Sequence, residues 1–217
     1  VPTGVVADTR GRRFSFLLGT GTLLASTLLY LWMWDLRAPM WGWAVSSVLI
    51  GLGFTFFSGA TEAWLVDALA ATGFEGSLDA VFGRAQVVGG AAMLTGSVLG
   101  GVIAQFTDLG MPYLVRAGVL GLTFAVGWWA MRDLGFTRRD HASPVAAVRE
   151  VLAGAVEGGL RNRPVRWVML ASPFTAGTGV YIFYALQPHL LQLYGDPNAY
   201  GIAGMAAALS AGAQIVG

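Results

Sequence analysis

The chain has no cysteine and no lysine, and only 12% of its 217 residues are charged. The missing cysteine excludes disulfides, thiolate metal sites and cysteine nucleophiles. A soluble domain usually carries about 25% charged residues, so the shortage of charge argues against a surface made for water. All 13 basic residues are arginine, a usage that fits a GC-rich genome and bears little on function. The formal net charge of +1 makes no case for a nucleic-acid partner, because the charges lie between apolar runs. No G-x-S-x-G elbow, zinc signature or phosphate loop occurs, and Gly19-x-Gly21 and Gly51-x-Gly53 lack the strand context of a nucleotide motif. His189 has no second histidine or nearby carboxylate at ligand spacing. No cofactor or metal is expected.

What is abundant is apolar length. Hydrophobic residues make up 55% of the chain, with 31 Gly and eight Trp. Glycine is frequent in membrane helices, and tryptophan marks their interfaces. A spanning helix needs ~20 mostly apolar residues. Five stretches qualify: Phe14–Trp34, Met40–Trp64 with Glu62 near its end, Arg84–Phe106, Tyr113–Met131 and Trp167–Tyr194. A further span begins at Tyr200, and Val1–Ala7 has the character of a helix end. With no initiator Met or signal peptide, the chain is expected to be an internal piece of a longer protein. The fold class expected is an all-α membrane protein, a partial bundle of about five full spans and two partial ones.

Orientation follows from arginine. Assigning the loops alternately puts Arg10, Arg12, Arg13, Arg84, Arg132, Arg138, Arg139, Arg149, Arg161, Arg163 and Arg166 on one side, against Arg37 and Arg116 on the other. Basic loops stay in the cytoplasm. A bacterial inner (plasma) membrane protein, multi-pass and monomeric, is expected. Arg116 has a simpler role, snorkelling to an outer boundary.

Residues 132–166 form a polar stretch too long for a hairpin. Ser143-Pro144 suits a helix start, and Val145, Val148, Leu152, Val156 and Leu160 then recur at helical spacing. An amphipathic helix on the cytoplasmic membrane surface is expected; a flexible linker is the alternative.

Residues 4–13 carry the most information. They read G-V-V-A-D-T-R-G-R-R and sit between two apolar stretches. The string resembles the loop motif of the major facilitator superfamily, G-x-x-x-D-(R/K)-x-G-(R/K)-(R/K). Gly4, Asp8, Gly11, Arg12 and Arg13 fit; Thr9 departs, and the expected basic residue comes one place later as Arg10. The resemblance implies a cytoplasmic gate made of Asp8, Arg10, Arg12 and Arg13, latched by a carboxylate at the end of the fourth helix. Asp67 is placed for that role. The arginines also suit anionic headgroups, or a topology signal alone.

Other strings add to this. S-G-A-T-E-A-W-L-V-D, residues 58–67, looks like the fourth helix of many bacterial members. Ser47, Thr55, Ser58 and Glu62 share one helix face, and a polar face within a span points to a water-filled cavity. Glu62 suits a coupling or substrate role, or equally an interfacial carboxylate that pairs with Arg84. The family's R-x-x-x-G-x-G has Gly51 and Gly53 here but Ser47 in the arginine place, which weakens an arginine-mediated proton step. G-S-V-L-G-G, residues 96–101, is similar to the G-P-x-x-G-G of drug–proton antiporters, but Ser97 replaces the proline, which favours plain helix packing. Pro173, the Gly177–Gly179 pair and Gln187-Pro188 are expected to loosen and break the span 167–194. Broken helices line transporter sites, so Tyr181, Tyr184 and Gln187 are candidates for solute binding or for interface anchoring.

Taken together, the resemblance implies a carrier of about twelve helices, with this chain covering the end of helix two to the start of helix eight. Residues 1–131 would belong to the first six-helix bundle, 132–166 to the cytoplasmic linker and 167–217 to the second bundle. The expected function is alternating-access transport of a small organic solute, with proton-coupled efflux as one form and with membrane lipid and protons as partners. It is not expected to be an enzyme. The alternatives are a membrane-embedded enzyme and a non-transporting channel or sensor.

Overall fold

The structure, a computed structural model, describes residues 2–136 and 144–216; the side chains at 2, 58, 144, 145, 147, 151, 210, 211 and 213–216 lie outside the described residues. Regular structure among the described residues is helical throughout. In chain order the elements are α1 (Pro2–Arg10), α2 (Arg12–Asp35), α3 (Met40–Ala71), α4 (Leu78–Phe106), α5 (Met111–Ala130), α6 (Pro144–Ala155) running into a π-helical turn (Val156–Leu160), α7 (Arg163–Tyr194) and α8 (Tyr200–Val216). The helices α2, α3, α4, α5 and α7 are long and apolar enough to cross a membrane. In hydrocarbon each backbone N–H and C=O must bond within its own segment, which a helix achieves.

Several expected boundaries move: α4 begins at Leu78, ahead of the expected Arg84, and α7 at Arg163, ahead of Trp167. α3 runs on to Ala71, so Glu62 lies inside the helix and not near its end. α7 continues through Pro173 and Pro188, contrary to the break expected at Gln187-Pro188. Each proline removes one N–H from the ladder. Ending the helix would leave several groups unbonded, so carrying it through costs less.

The chain divides into two compact units. The first holds α1, α2, α3, α5 and α6; the second holds α4, α7 and α8. In the first, α2 packs along α3 through small and hydroxyl-bearing residues. A Cβ on Gly19 would lie 2.9 Å from the Phe57 amide nitrogen and 3.0 Å from the Gly53 carbonyl oxygen. The Ser15 hydroxyl donates to the Phe56 carbonyl at 3.0 Å, and Ser26 donates to that of Ser46 at 2.9 Å. Ser15, Thr20, Ser26, Thr27 and Ser46 are all buried. These are the largest wholly buried side chains, so this seam is held by close backbone approach and hydroxyl bonds. That is how helices associate where lipid removes the hydrophobic drive between them.

In the second unit α4 packs on α8 at a pair of glycines. A Cβ on Gly101 would stand 2.7 Å from the Tyr200 carbonyl oxygen, and one on Gly204 would stand 2.7 Å from that of Ser97. The Gln105 side-chain oxygen accepts the Gly201 N–H at 3.2 Å beside this crossing. The glycine-rich run of α4 therefore includes a backbone-to-backbone contact.

α6 begins at Pro144, and its π turn is closed by Arg161 N–H donating to the Val156 carbonyl at 2.9 Å. Leu152, Val156 and Leu160 are exposed. The cap expected from Ser143 and the arginines Arg138 and Arg139 lie outside the described residues.

Gly101→Ala and Gly204→Ala are each expected to destabilise the protein by about 1–3 kcal/mol, the usual cost of overpacking. Gly118, whose Cβ position is open, is the control: Gly118→Ala should be neutral or stabilising. Thermal unfolding of the detergent-solubilised full-length protein checks this, and equal midpoints for all three variants would refute it.

Candidate functional site

The arginine-rich loop folds around one guanidinium. Gly11 separates α1 from α2 with φ +101°, a conformation that L side chains rarely adopt. The break brings Asp8, in the last turn of α1, beside Arg12, the first residue of α2. Arg12 Nη1 donates to Asp8 Oδ1 at 2.7 Å, and Arg12 Nε donates to Asp67 Oδ2 of α3 at 3.4 Å. One side chain thus ties three helices together. Exposure of 20% for the Arg12 side chain, 31% for Asp8 and 32% for Asp67 leaves all three partly open to water. Ion pairs this exposed are worth on the order of 1 kcal/mol or less each. They align helix ends yet remain easy to break.

A segment that sequence reasoning missed completes the site. Gly11 has no side chain to cap α2, and the carboxylate of Asp133, from the segment after α5, takes that place. Asp133 Oδ1 accepts the Arg13 N–H at 2.8 Å, and a Cβ on Gly11 would collide with the same carboxylate. Gly135, at φ +67°, lets the segment turn against α3, where a Cβ would meet the Asp67 carbonyl oxygen at 2.7 Å. The Trp64 indole N–H donates to the Arg132 carbonyl at 2.7 Å. The motif glycine is therefore needed twice, for its dihedral and for its missing Cβ. A lone aspartate before Leu134-Gly135, in a stretch weighed only by its arginines, was the available signal.

The other two arginines expected in the gate, Arg10 and Arg13, go elsewhere. Arg13 Nη2 donates to the Trp128 carbonyl at 2.5 Å, and its guanidinium lies 5.1 Å from the centroid of the Trp128 ring. Its Nε is buried with no hydrogen-bond partner among the described residues. Arg10 lies over the Phe14 ring at 5.3 Å. Of the five proposed gate residues, the structure joins Asp8, Arg12 and Asp67 through side-chain bonds.

The polar face of α3 is less assembled. Ser47 and Thr55 are exposed, as is Glu62, and the Ser58 side chain lies outside the described residues. Ser47 Oγ lies 2.5 Å from the Tyr30 hydroxyl and bonds the Trp43 carbonyl at 2.9 Å. Thr55 Oγ1 donates to the Leu52 carbonyl at 2.8 Å. The Tyr30 ring stacks on Tyr113 at 5.9 Å and meets Trp43 tilted at 5.6 Å, a cluster that sequence reasoning did not find. Among the second unit's candidates, Tyr181 and Tyr184 are exposed, Gln187 is half-buried, and Tyr184 meets Phe183 edge-on at 5.6 Å.

Apolar helices of spanning length, tied at one end by a shared arginine, define a multi-pass membrane protein. The family model of the Major Facilitator Superfamily matches residues 1–217, and the chain belongs to that family. The chain is also similar to an uncharacterized MFS-type transporter of Methanocaldococcus jannaschii, at 22% identity over 189 residues. That match covers 86% of the chain and 46% of the relative, so the chain spans about half the length of the curated protein it matches. No solved structure matches the chain.

Asp133→Ala removes the surrogate cap and should cost about 1 kcal/mol locally, as loss of a helix cap does. Hydrogen exchange of the full-length protein should show faster exchange in the first turn of α2. Unchanged protection there would mean that Asp133 does not hold the loop.

Proposed function

We propose that the chain is part of a secondary transporter that moves a small organic solute by alternating access, with Arg12 and its two aspartates as a latch at the cytoplasmic end. The observation that carries this reading is the sharing of one guanidinium by Asp8 and Asp67 across three helix ends. A latch worth a few kcal/mol at most can be biased by solute binding, because states that differ by so little are both populated. A stronger lock would trap one state.

The reading assigns residues 1–131 to the first half of the carrier, 132–166 to the connector and 167–217 to the second half. On that division α4 and α8 come from different halves, and their Gly101–Gly204 crossing supports a joint between the two. Smooth glycine surfaces let helices slide or tilt with little side-chain rearrangement. The connector helix α6, with exposed Leu152, Val156 and Leu160, suits the surface of the cytoplasmic leaflet.

Glu62 is the coupling candidate, and proton-linked efflux from a bacterial plasma membrane is the form of transport it would serve. Its support is position: an exposed carboxylate inside a spanning helix, on the face that carries Ser47 and Thr55. Carboxylates at such depth are costly unless they face water or a partner. Tyr181, Tyr184 and Gln187 would contribute hydrogen bonds and aromatic faces to an organic solute. No catalytic residue is assigned.

Counterflow of labelled solute in proteoliposomes of the full-length protein separates a carrier from a channel, a sensor or an enzyme. Asp8→Asn and Arg12→Ala should each slow counterflow while membrane insertion stays intact; normal rates in both would remove the latch from the mechanism. Glu62→Gln should flatten or shift the pH profile of transport, and a profile superimposable on the wild type would exclude Glu62 from coupling.

A further inference from the structure

The segment after α5 does more than cap α2. It turns at Leu134, whose N–H donates to the Arg132 carbonyl at 2.9 Å, and lies against the ends of α2 and α3. Four points fix it there. The Arg132 carbonyl accepts the Trp64 indole N–H, Asp133 accepts the Arg13 N–H, and Gly135 lies against the Asp67 carbonyl and the Ala71 methyl. The fourth point is Phe136, whose ring centroid stands 6.0 Å from the Arg12 guanidinium carbon. Phe136 is half-buried, whereas residues 132–135 are exposed. The Arg12 guanidinium thus has Asp8 and Asp67 on two of its N–H donors and an aromatic ring within cation–π range.

We propose that residues 132–136 are a strap that keeps the latch shut, with Phe136 as the positioning residue that holds Arg12 between its aspartates. The inference rests on the latch reading of Asp8, Arg12 and Asp67. Ion pairs partly open to water hold a guanidinium weakly, so by themselves they leave it free to swing into solvent. A ring against the cation shields it from water and steadies both carboxylate-bound edges at once. Ring and carboxylates do not compete, because the ring attracts the charge while the carboxylates take N–H donors. The strap's other three points anchor it to α2 and α3, the helices that carry Arg12 and Asp67. Arg12 therefore leaves its aspartates by sliding away from Phe136 or by lifting the segment. The chain runs on from Phe136 toward α6, and α6 packs against α1, which carries Asp8. The connector thus meets the latch helices at two places, and a pull on it would reach Arg12 through Phe136.

The test is double electron–electron resonance on the full-length protein in nanodiscs, with spin labels at Glu75 after α3 and Asn162 before α7, both exposed. A longer-distance population reports opening of the arginine-rich end. Phe136→Leu, which keeps apolar bulk but removes the ring, and Asp133→Ala, which frees one anchor, should each raise the open-to-closed ratio about two- to fivefold. Phe136→Tyr, which keeps the ring, should match the wild type. Arg12→Gln should open the end by itself, and adding Phe136→Leu to it should change nothing further, a result that a general loss of packing would not give. Wild-type distances in both Phe136→Leu and Asp133→Ala would overturn the strap. So would a Phe136→Tyr that opens like Phe136→Leu, or a Phe136→Leu effect undiminished in the Arg12→Gln background. Unchanged distances in Arg12→Gln itself would instead remove the latch reading, and the strap with it.

Discussion

Arg12 holds two carboxylates from two other helices, and the geometry of the arginine-rich end depends on that sharing. The contact requires α1 to stop and α2 to start within one residue. It therefore requires Gly11 at a positive φ, with no Cβ in the space that the Asp133 carboxylate fills. Asp133 in turn positions the segment whose backbone meets Trp64 and whose Gly135 lies against the Asp67 carbonyl. The motif residues and the segment after α5 form one structure, although about 120 residues of sequence separate them. Partial exposure keeps the ion pairs weak.

The membrane sets the second constraint. With little hydrophobic drive between helices in lipid, association rests on close approach and on hydroxyl bonds. The α2–α3 seam uses both, through Gly19, Gly53, Ser15 and Ser26. The α4–α8 crossing relies on the Gly101–Gly204 pair and a glutamine bond to backbone. The serines and threonines buried between α2 and α3 thus have a structural use. That separates them from Ser47, Thr55 and Glu62, which remain exposed on α3.

Hydrophobic length and arginine placement were enough to find five spans and the segment holding α6. Those signals are local: a run of apolar residues has to be a helix in lipid, and a basic loop stays on one side. Helix ends were less legible, because the apolar pattern fades before the hydrogen-bond ladder does. α3 continues past Trp64 to Ala71, which changes the setting of Glu62. Proline was over-weighted in α7, where a lost N–H was counted as a break although lipid penalises a break more than a bend.

Sequence by itself determined that the chain is helical, membrane-embedded and a member of its family, because composition and motif spacing act within single segments. The resemblance to the family's loop motif also singled out Asp8, Arg10, Arg12, Arg13 and Asp67, without telling which of them meet. Only the tertiary structure decided that Arg13 turns to Trp128, that Arg10 covers Phe14, and that Asp133 caps α2 in place of a residue of its own helix. These outcomes depend on which segments meet in space. A guanidinium has several donors and accepts whichever carboxylate, carbonyl or ring the packed helices bring within reach.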